Sequence, residues 1–286
     1  MSIKRILVPL LSQEQASDAL AAAFAVAKPF RAHVQGLHLR PDPAQSVPSV
    51  IPTMLTDYIV ETTDAINRAA AELAGGLKSQ LEEAAGRNDV PMAETDSDGP
   101  SASWRQAQGF VPDDFALAAR VFDLVVLRRP PRKTFQTERD LVTSVLLESG
   151  RPVLLVPEGG LESLDGTVLV GWNGSVEAAQ ALAVGLPFLA RSRAAKVVTV
   201  GAPPTRGPGA GDAAALLLRH GVEAETVNIP EPKKDAGSAL LEAAHQAKAS
   251  MLIVGAYSRS RWRELVLGGV TRHLVEHADL PVLLVH

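Results

Sequence analysis

The chain has 286 residues, of which 46% are hydrophobic and 21% are charged, and its formal net charge is −4. The length suggests about two domains, and the composition is that of a globular chain rather than a disordered one. The small negative charge gives no general electrostatic reason to bind nucleic acid or an anionic membrane. The absence of cysteine excludes disulfides, zinc–thiolate sites and thiol catalysis.

Targeting segments are not expected either. The apolar run at the N-terminus is short and ends in the polar residues SQEQ, so it does not resemble a signal peptide. No apolar run reaches the roughly 18 residues that a membrane-spanning helix needs. The sequence therefore predicts a cytoplasmic protein without a membrane partner.

Strand-like and helix-like patterns alternate through the first half. Short, mostly apolar runs predict strands, and apolar residues at helical spacing predict helices. The predicted strands are 3–10, 33–39, 90–95, 123–127 and 152–156, and the predicted helices are 13–28, 63–85, 113–120 and 138–148. The proline-rich segment 41–52 interrupts this order, and the region 41–63 accounts for most of the extra length of this half.

The same alternation begins again after residues 157–166, whose composition is that of a linker. The predicted strands of the second half are 168–170, 197–200, 222–229, 251–254 and 281–285, and the predicted helices are 175–189, 213–220, 238–248 and 270–277. The run PVLLV at 281–285 repeats 152–156 letter for letter. This indicates an internal duplication, with domains at 1–157 and 166–286.

Five strands alternating with four helices predict an α/β fold, with helices on both faces of an open, doubly wound parallel sheet in each half. Ligands of such sheets bind beyond the carboxyl ends of the strands, where the strand order reverses. If the order is 3-2-1-4-5, the loops after strands 1 and 4 form that place.

These loops differ between the halves. In the second half they contain Gly171, Gly174, Gly255, Gly268 and Gly269, which permit close backbone approach to a phosphate. The hydroxyl of Thr271 can donate a further hydrogen bond to the same phosphate. The alternative is that the glycines serve only tight turns between strands and helices.

The matching loops of the first half, 9–12 and 128–132, contain no glycine, and Pro130 and Pro131 have no N–H to donate. We therefore expect no phosphate to be held there by backbone amides. The arginines of this loop can attract an anion, although a solvated cationic loop is the plainer interpretation.

The duplicated pattern, the loop VGWNGS and the segment GAYSRSRWRELVLGGVT together resemble the universal stress protein (UspA-like) family in its tandem form. The resemblance implies a Rossmann-like fold. Members that bind ATP have glycine, two residues, glycine, nine residues, glycine, then serine or threonine. Gly255 and Gly268 match the first and third glycines, whereas Ser258 replaces the second, and Gly269 stands in the place of the hydroxyl residue.

The family's acidic residue after strand 1 aligns with Asn173, and the backbone contact to adenine falls at or near Val200. The resemblance thus implies an adenine nucleotide, ATP, ADP or AMP, as the ligand of the second half. The implied binding residues are Asn173, Val200, Gly255, Ser258, Gly268, Gly269, Val270 and Thr271.

The resemblance also bears on assembly. In single-domain members the last strand makes the dimer contact, which implies that the two PVLLV strands of this chain pair with each other as an intramolecular pseudo-dimer. The resemblance leaves open whether two such chains also form a homodimer.

Two other clusters of polar side chains contain candidate ligands. His273 and His277 stand four residues apart, a spacing that can bind metal, but the sequence places no third ligand, and we predict no metal site. Arg259, Arg261 and Arg263 surround Trp262; they can contact phosphates or a partner, or form a solvated basic turn.

No catalytic motif or acid–base pair is recognisable, so no catalytic residue is predicted. The resulting hypothesis is a non-catalytic universal stress response protein that binds an adenine nucleotide in its C-terminal half and acts in regulation or through a protein partner. The alternatives are a nucleotide-dependent transferase or slow ATPase on the same fold, and a ligand-free scaffold.

Overall fold

Strands and helices alternate along the whole described part of the chain. The structure, a computed structural model, describes residues 2–40, 56–93, 99–131, 136–161, 164–202, 207–230, 232, 235–256 and 269–286. The segment 41–52 therefore lies outside the described residues, as do Ser258, Gly268 and the cluster of Arg259, Arg261, Trp262 and Arg263. None of the helices described is both long and apolar enough to cross a lipid bilayer.

Ten strands and eight helices are described. The strands are β1 Arg5–Pro9, β2 His33–Arg40, β3 Ser101–Gln108, β4 Leu124–Arg128, β5 Val153–Val156, β6 Thr167–Gly171, β7 Ala194–Val200, β8 Ala224–Ile229, β9 Ala249–Gly255 and β10 Val282–Val285. The helices are α1 Gln13–Phe30, α2 Thr56–Arg87, α3 Asp113–Ala119, α4 Gln136–Glu148, α5 Val176–Leu189, α6 Ala210–Arg219, α7 Ala236–Gln246 and α8 Gly269–His277.

All ten strands form one sheet in the order β3-β2-β1-β4-β5-β10-β9-β6-β7-β8. Each half has the order 3-2-1-4-5 and is parallel throughout. The predicted fold class, two doubly wound five-stranded parallel sheets, is therefore confirmed. The strand order reverses between β1 and β4 in the first half and between β6 and β9 in the second.

The halves meet through their last strands. β5 and β10 pair antiparallel, so that Leu154 lies opposite Leu283, and both side chains are fully buried. The pairing expected of the two PVLLV segments is thus present. Because each strand covers the other's edge, neither exposes unpaired backbone groups at the junction.

Helices cover both faces of the sheet, because the central strands are apolar on both sides. One core packs α1, α2, α5 and α6 against the sheet, and the other packs α3, α4, α7 and α8. Each core includes residues of both halves, so the hydrophobic interior is continuous across the junction.

The third strand of the first half is the main correction to the sequence analysis. The predicted strand 90–95 is wrong within its described part, where Met92 makes only an isolated bridge to Ala102. The third strand of the first half is instead β3, Ser101–Gln108. Its sequence, SASWRQAQ, has no apolar run because β3 is the outermost strand of the sheet and has β2 as its neighbour in the strand order. Its small buried serines serve a polar contact: Ser101 and Ser103 hydrogen-bond the two ring nitrogens of buried His33 at 2.8 Å each.

Leu154→Ala should destabilise the whole chain, because it removes a buried side chain from the junction of the two halves. We expect the free energy of unfolding to fall by about 2–5 kcal/mol, measured by urea denaturation with circular dichroism. Leu218→Ala is the control, since Leu218 is exposed, and it should change that free energy by less than about 0.5 kcal/mol. Equal effects of the two variants would contradict the packing of the junction.

Candidate functional site

The carboxyl ends of β6 and β9 lie side by side at the strand reversal of the second half, where Gly171 pairs with Val254. Among the connections that leave this edge of the sheet are the β6–α5 loop, the β7–α6 loop and the segment between β9 and α8. The predicted nucleotide-binding residues lie on or beside these three connections.

The β6–α5 loop is held by its own side chains. Asn173 Oδ1 accepts a hydrogen bond from Ser175 N at 3.0 Å, and Gly174 has a φ of 72°. Ser175 caps α5, as predicted, because its Oγ accepts from Ala178 N at 3.1 Å. Asn173 is exposed, and since its carbonyl oxygen serves this turn, its side-chain N–H groups are the donors that it can offer a ligand.

Trp172, which the sequence analysis did not single out, joins this loop to the β7–α6 loop. Its side chain is buried, and its Nε1 donates to the carbonyl oxygen of Pro208 at 3.0 Å. A Cβ on Gly207 would lie 3.8 Å from Gly174 O, so the two loops are in close proximity. The sequence signal for this contact is a lone tryptophan beside glycines. It does not reveal the hydrogen-bond partner, which lies 36 residues further along the chain.

Gly255 ends β9 against the first turn of α5. A Cβ at this position would lie 2.4 Å from the carbonyl carbon of Glu177 and 2.6 Å from the nitrogen of Ala178. Both are backbone atoms that cannot move aside without shifting the helix. Packing of strand against helix therefore requires glycine here, whatever ligand the loop binds.

The start of α8 is different. Gly269 is exposed, and among the described residues, which leave out 257–268, none would lie within 4 Å of a Cβ built on it. Val270 is half-buried and Thr271 is buried, so the Thr271 hydroxyl is less accessible than expected from sequence. The open end of α8 thus presents backbone rather than side chains.

Val200 closes β7, the neighbour of β6 on the other side, and it pairs with Ile229 of β8. Gly201 follows with a φ of 87° and donates its N–H to Ile229 O at 2.8 Å. The structure therefore brings Asn173, Val200, Gly255 and the start of α8 to one edge of the sheet. It does not describe Ser258 or Gly268.

His273 and His277 form a polar cluster with the start of α7. Their rings stack with centroids 4.4 Å apart, and His273 Nε2 lies 3.3 Å from Ser238 Oγ. His273 Nδ1 lies 3.6 Å from Asp235 Oδ1. In the described ranges, no group of three histidine or carboxylate side chains is arranged to hold a metal ion.

Asp235 is the N-cap of α7: Oδ1 accepts from Ser238 N at 3.1 Å, and Oδ2 accepts from Ser238 Oγ at 2.6 Å. The hydrogen bond from the Ser238 hydroxyl lowers the pKa of Asp235 from its ordinary value, and the Ser238 amide and His273 lower it further. The cap is therefore strongest when the carboxyl is ionised.

Two tandem doubly wound sheets, each with a loop cluster at its strand reversal, define the class of this protein as a duplicated Rossmann-like α/β protein. The sequence model of the universal stress protein family matches residues 166–286, and the second half of the chain belongs to that family. No curated protein matches the chain significantly.

Solved structures agree with this fold over the whole chain. A universal stress protein from Archaeoglobus fulgidus DSM 4304 is 14% identical, with a TM-score of 0.64, and the match covers 98% of this chain and 97% of that one. A putative universal stress protein from Pseudomonas aeruginosa UCBPP-PA14 is 15% identical, with a TM-score of 0.57 and coverage of 99% and 93%. At these identities the likeness shows the fold alone.

A universal stress protein in complex with cAMP is 24% identical over 43% of this chain and 99% of its own, with a TM-score of 0.32. A likeness at that score says nothing about the ligands of this chain.

Gly255→Ala should destabilise the second half, because the new Cβ would overlap the backbone of α5. We expect a loss of about 1–3 kcal/mol in the free energy of unfolding, measured by urea denaturation. Gly269→Ala is the matched control, since its Cβ would have no neighbour within 4 Å among the described residues, and its effect should stay within about 0.5 kcal/mol. A neutral Gly255→Ala would contradict the close packing of β9 on α5.

The Asp235 cap should make stability depend on acid pH. Because its folded-state pKa is lowered, its contribution is present above the unfolded pKa and is lost as the pH falls through the folded pKa, in the range below about pH 4. Asp235→Ala should lose about 1 kcal/mol at pH 7, and Asp235→Asn should retain most of the cap while losing its acid dependence. Denaturation at pH 3 and pH 7 tests both; an unchanged acid dependence in Asp235→Asn would show that another group causes it.

Proposed function

We propose that the protein binds an adenine nucleotide, ATP, ADP or AMP, in its second half and acts as a non-catalytic regulatory or interaction protein. The observation that carries the proposal is the open start of α8 at the strand reversal of a universal stress protein domain. We also propose residues 1–157 and 166–286 as the two domains, of which only the second has this nucleotide site.

The start of a helix suits phosphate for two reasons. The first backbone N–H groups of a helix have no partner within it, and the aligned peptide dipoles place partial positive charge at the same end. In α8 these amides belong to Gly269, Val270 and Thr271. Because Gly269 has no side chain, and no atom of the described residues lies within 4 Å of where its Cβ would be, a phosphate oxygen can approach the backbone from that side.

The adenosine moiety is proposed to lie across the ends of β6 and β7. Asn173 offers side-chain N–H groups beside β6, and Val200 marks the end of β7, where adenine would meet the backbone. Gly255 has a supporting role here, because it lets β9 approach α5 and so sets the floor of the cleft. Ser258 and Gly268 complete the proposed set.

The non-catalytic part of the proposal follows from the side chains beside the cleft. Asn173 has no carboxylate to act as a base. Along α8, Arg272 comes before His273 and, as a guanidinium, does not act as a base. The His273 ring is engaged by Ser238 and stacked on His277. This arrangement supports binding without turnover.

Two measurements test the nucleotide. The purified protein is denatured and its supernatant is analysed by mass spectrometry for ATP, ADP and AMP, and the nucleotide-free protein is titrated with each by calorimetry. We expect one adenine nucleotide per chain. The absence of both a bound nucleotide and any heat of binding at millimolar ATP would contradict the proposal and favour a ligand-free scaffold.

Gly269→Asp locates the site. Its carboxylate would stand where the phosphate is proposed, so affinity should fall by at least about tenfold, the effect of roughly 1.4 kcal/mol of repulsion. Gly75→Asp is the matched control, because Gly75 is also an exposed helical glycine with nothing within 4 Å of its Cβ, but it lies in α2. Equal affinity in the two variants would place the nucleotide elsewhere.

A further inference from the structure

The strand β8 forms one outer edge of the ten-stranded sheet. Gly201 N, just after β7, donates to Ile229 O at 2.8 Å, so Ile229 directs its backbone groups toward β7. Because the backbone groups of successive strand residues point in alternate directions, the N–H and C=O groups of Thr226 and Asn228 point away from β7. Among the described residues, none hydrogen-bonds these groups. Such an edge is a template for pairing with another strand.

The other outer edge of the sheet shows how this chain covers such groups. Ala93 N donates to Ala102 O at 2.7 Å, and Ala102 N donates to Pro91 O at 2.9 Å. The segment before β3 therefore pairs with the start of the outer side of β3. In the second half, the connection from α6 to β8 consists of residues 220–223 and leads directly into the strand. This short connection does not pair with the outer side of β8.

The side chains of β8 suit pairing with a second copy of the same strand. A strand pairs with its own copy about a two-fold axis, so each residue meets the residue that the register assigns to it on both sides. In the antiparallel register centred on Val227, Thr226 lies opposite Asn228 of the second copy, and the outward backbone groups of both residues are satisfied. Val227 is half-buried and pairs with Val198 of β7, so a row of valines continues across the axis and stabilises the pairing. A register centred on Thr226 would instead place Glu225 opposite Val227.

The charges near this edge also suit a second copy. Glu225 of β8 accepts a hydrogen bond from Lys196 Nζ of β7, so its charge is compensated within its own chain. Helix α6 packs over β7 and β8, and a two-fold axis perpendicular to the sheet places α6 of the second copy antiparallel on the same face. Asp212 and Arg219 are both exposed and lie near opposite ends of α6. Asp212 of each copy therefore comes to the same end as Arg219 of the other, which favours this partner electrostatically.

We propose that two copies of this chain form a dimer through antiparallel pairing of their β8 strands, with Val227 at the two-fold axis. The same kind of pairing joins β5 with β10 inside the chain. Pro230, the next residue that points outward, has no N–H and so limits the pairing to β8. The dimer goes beyond the proposed function, because it needs no nucleotide and does not involve the start of α8.

Light scattering after size exclusion measures the mass of the full-length protein as its concentration is raised to submillimolar values. We expect a mass of two chains. Asn228→Pro removes an outward N–H that β7 does not use, so the protein should stay folded by circular dichroism while its dimer dissociation constant rises by at least about tenfold. Asn228→Ala is the matched control, since it keeps that N–H, and it should remain dimeric. A monomeric wild-type protein, or equal dimerisation of the two variants, would overturn the proposal.

Val227→Cys tests the register and leaves Asn228 in place, in case Asn228→Pro does not fold. The chain has no cysteine, so this variant has a single thiol. At the centre of the antiparallel pair the two Cα atoms would lie about 4.5 Å apart, which is within the range that a disulfide bridges. We expect mild oxidation to give a covalent dimer on a non-reducing gel, and reductant to reverse it.

Leu117→Cys is the control for this cross-link, because Leu117 is exposed on α3 in the other half. It should give no covalent dimer under the same oxidation. No covalent dimer of Val227→Cys, or equal cross-linking of the two cysteine variants, would remove Val227 from the axis and overturn the proposal.

Discussion

The antiparallel pairing of β5 with β10 is the interaction on which the rest of the architecture depends. It turns two five-stranded sheets into one, and it leaves β3 and β8 as the outer edges of that sheet. Because strands are parallel within each half and antiparallel across the junction, the carboxyl ends of β1 and β4 point opposite to those of β6 and β9. The two strand reversals therefore open at opposite ends of the molecule, and their loops can differ without interfering with each other.

One pair of equivalent positions shows how the two strand reversals differ. At Gly255 the strand approaches the backbone of α5 so closely that a Cβ would overlap Glu177. At the equivalent Arg128 a long side chain fills the corresponding space, and its Nε is bound to Asp18 of α1. Gly255 brings β9 against the first turn of α5. Arg128 instead places a buried guanidinium between β4 and α1. The same fold thus offers two unlike environments, and this pair of positions differs in both side-chain size and charge.

The sequence predicted the parts of this structure that depend on local pattern. Strands such as β4, β5 and β9 are buried on both faces, so their apolar runs identify them, and the repeated PVLLV indicates the duplication. β3 was missed because an edge strand with serines facing a buried histidine has no apolar pattern. The role of Gly255 was also hidden, because the atoms that require glycine belong to Glu177 and Ala178, far away in the chain. Sequence shows that a glycine is present, but only the tertiary contact shows which neighbour excludes a side chain.

Helix α8 connects the two ends of the molecule. It starts with Gly269 at the strand reversal of the second half, and near its other end the carbonyl oxygen of Glu276 accepts a hydrogen bond from Arg129 Nη1 at 3.1 Å. The Glu276 carboxylate lies 3.8 Å from Arg139 Nη1 of α4. A cation at the last turn satisfies a terminal carbonyl and complements the negative end of the helix dipole. Since Arg129 directly follows Arg128, the loop at the strand reversal of the first half also holds the helix that starts at the strand reversal of the second. The first half therefore helps to position α8 through this contact, independently of any ligand of its own.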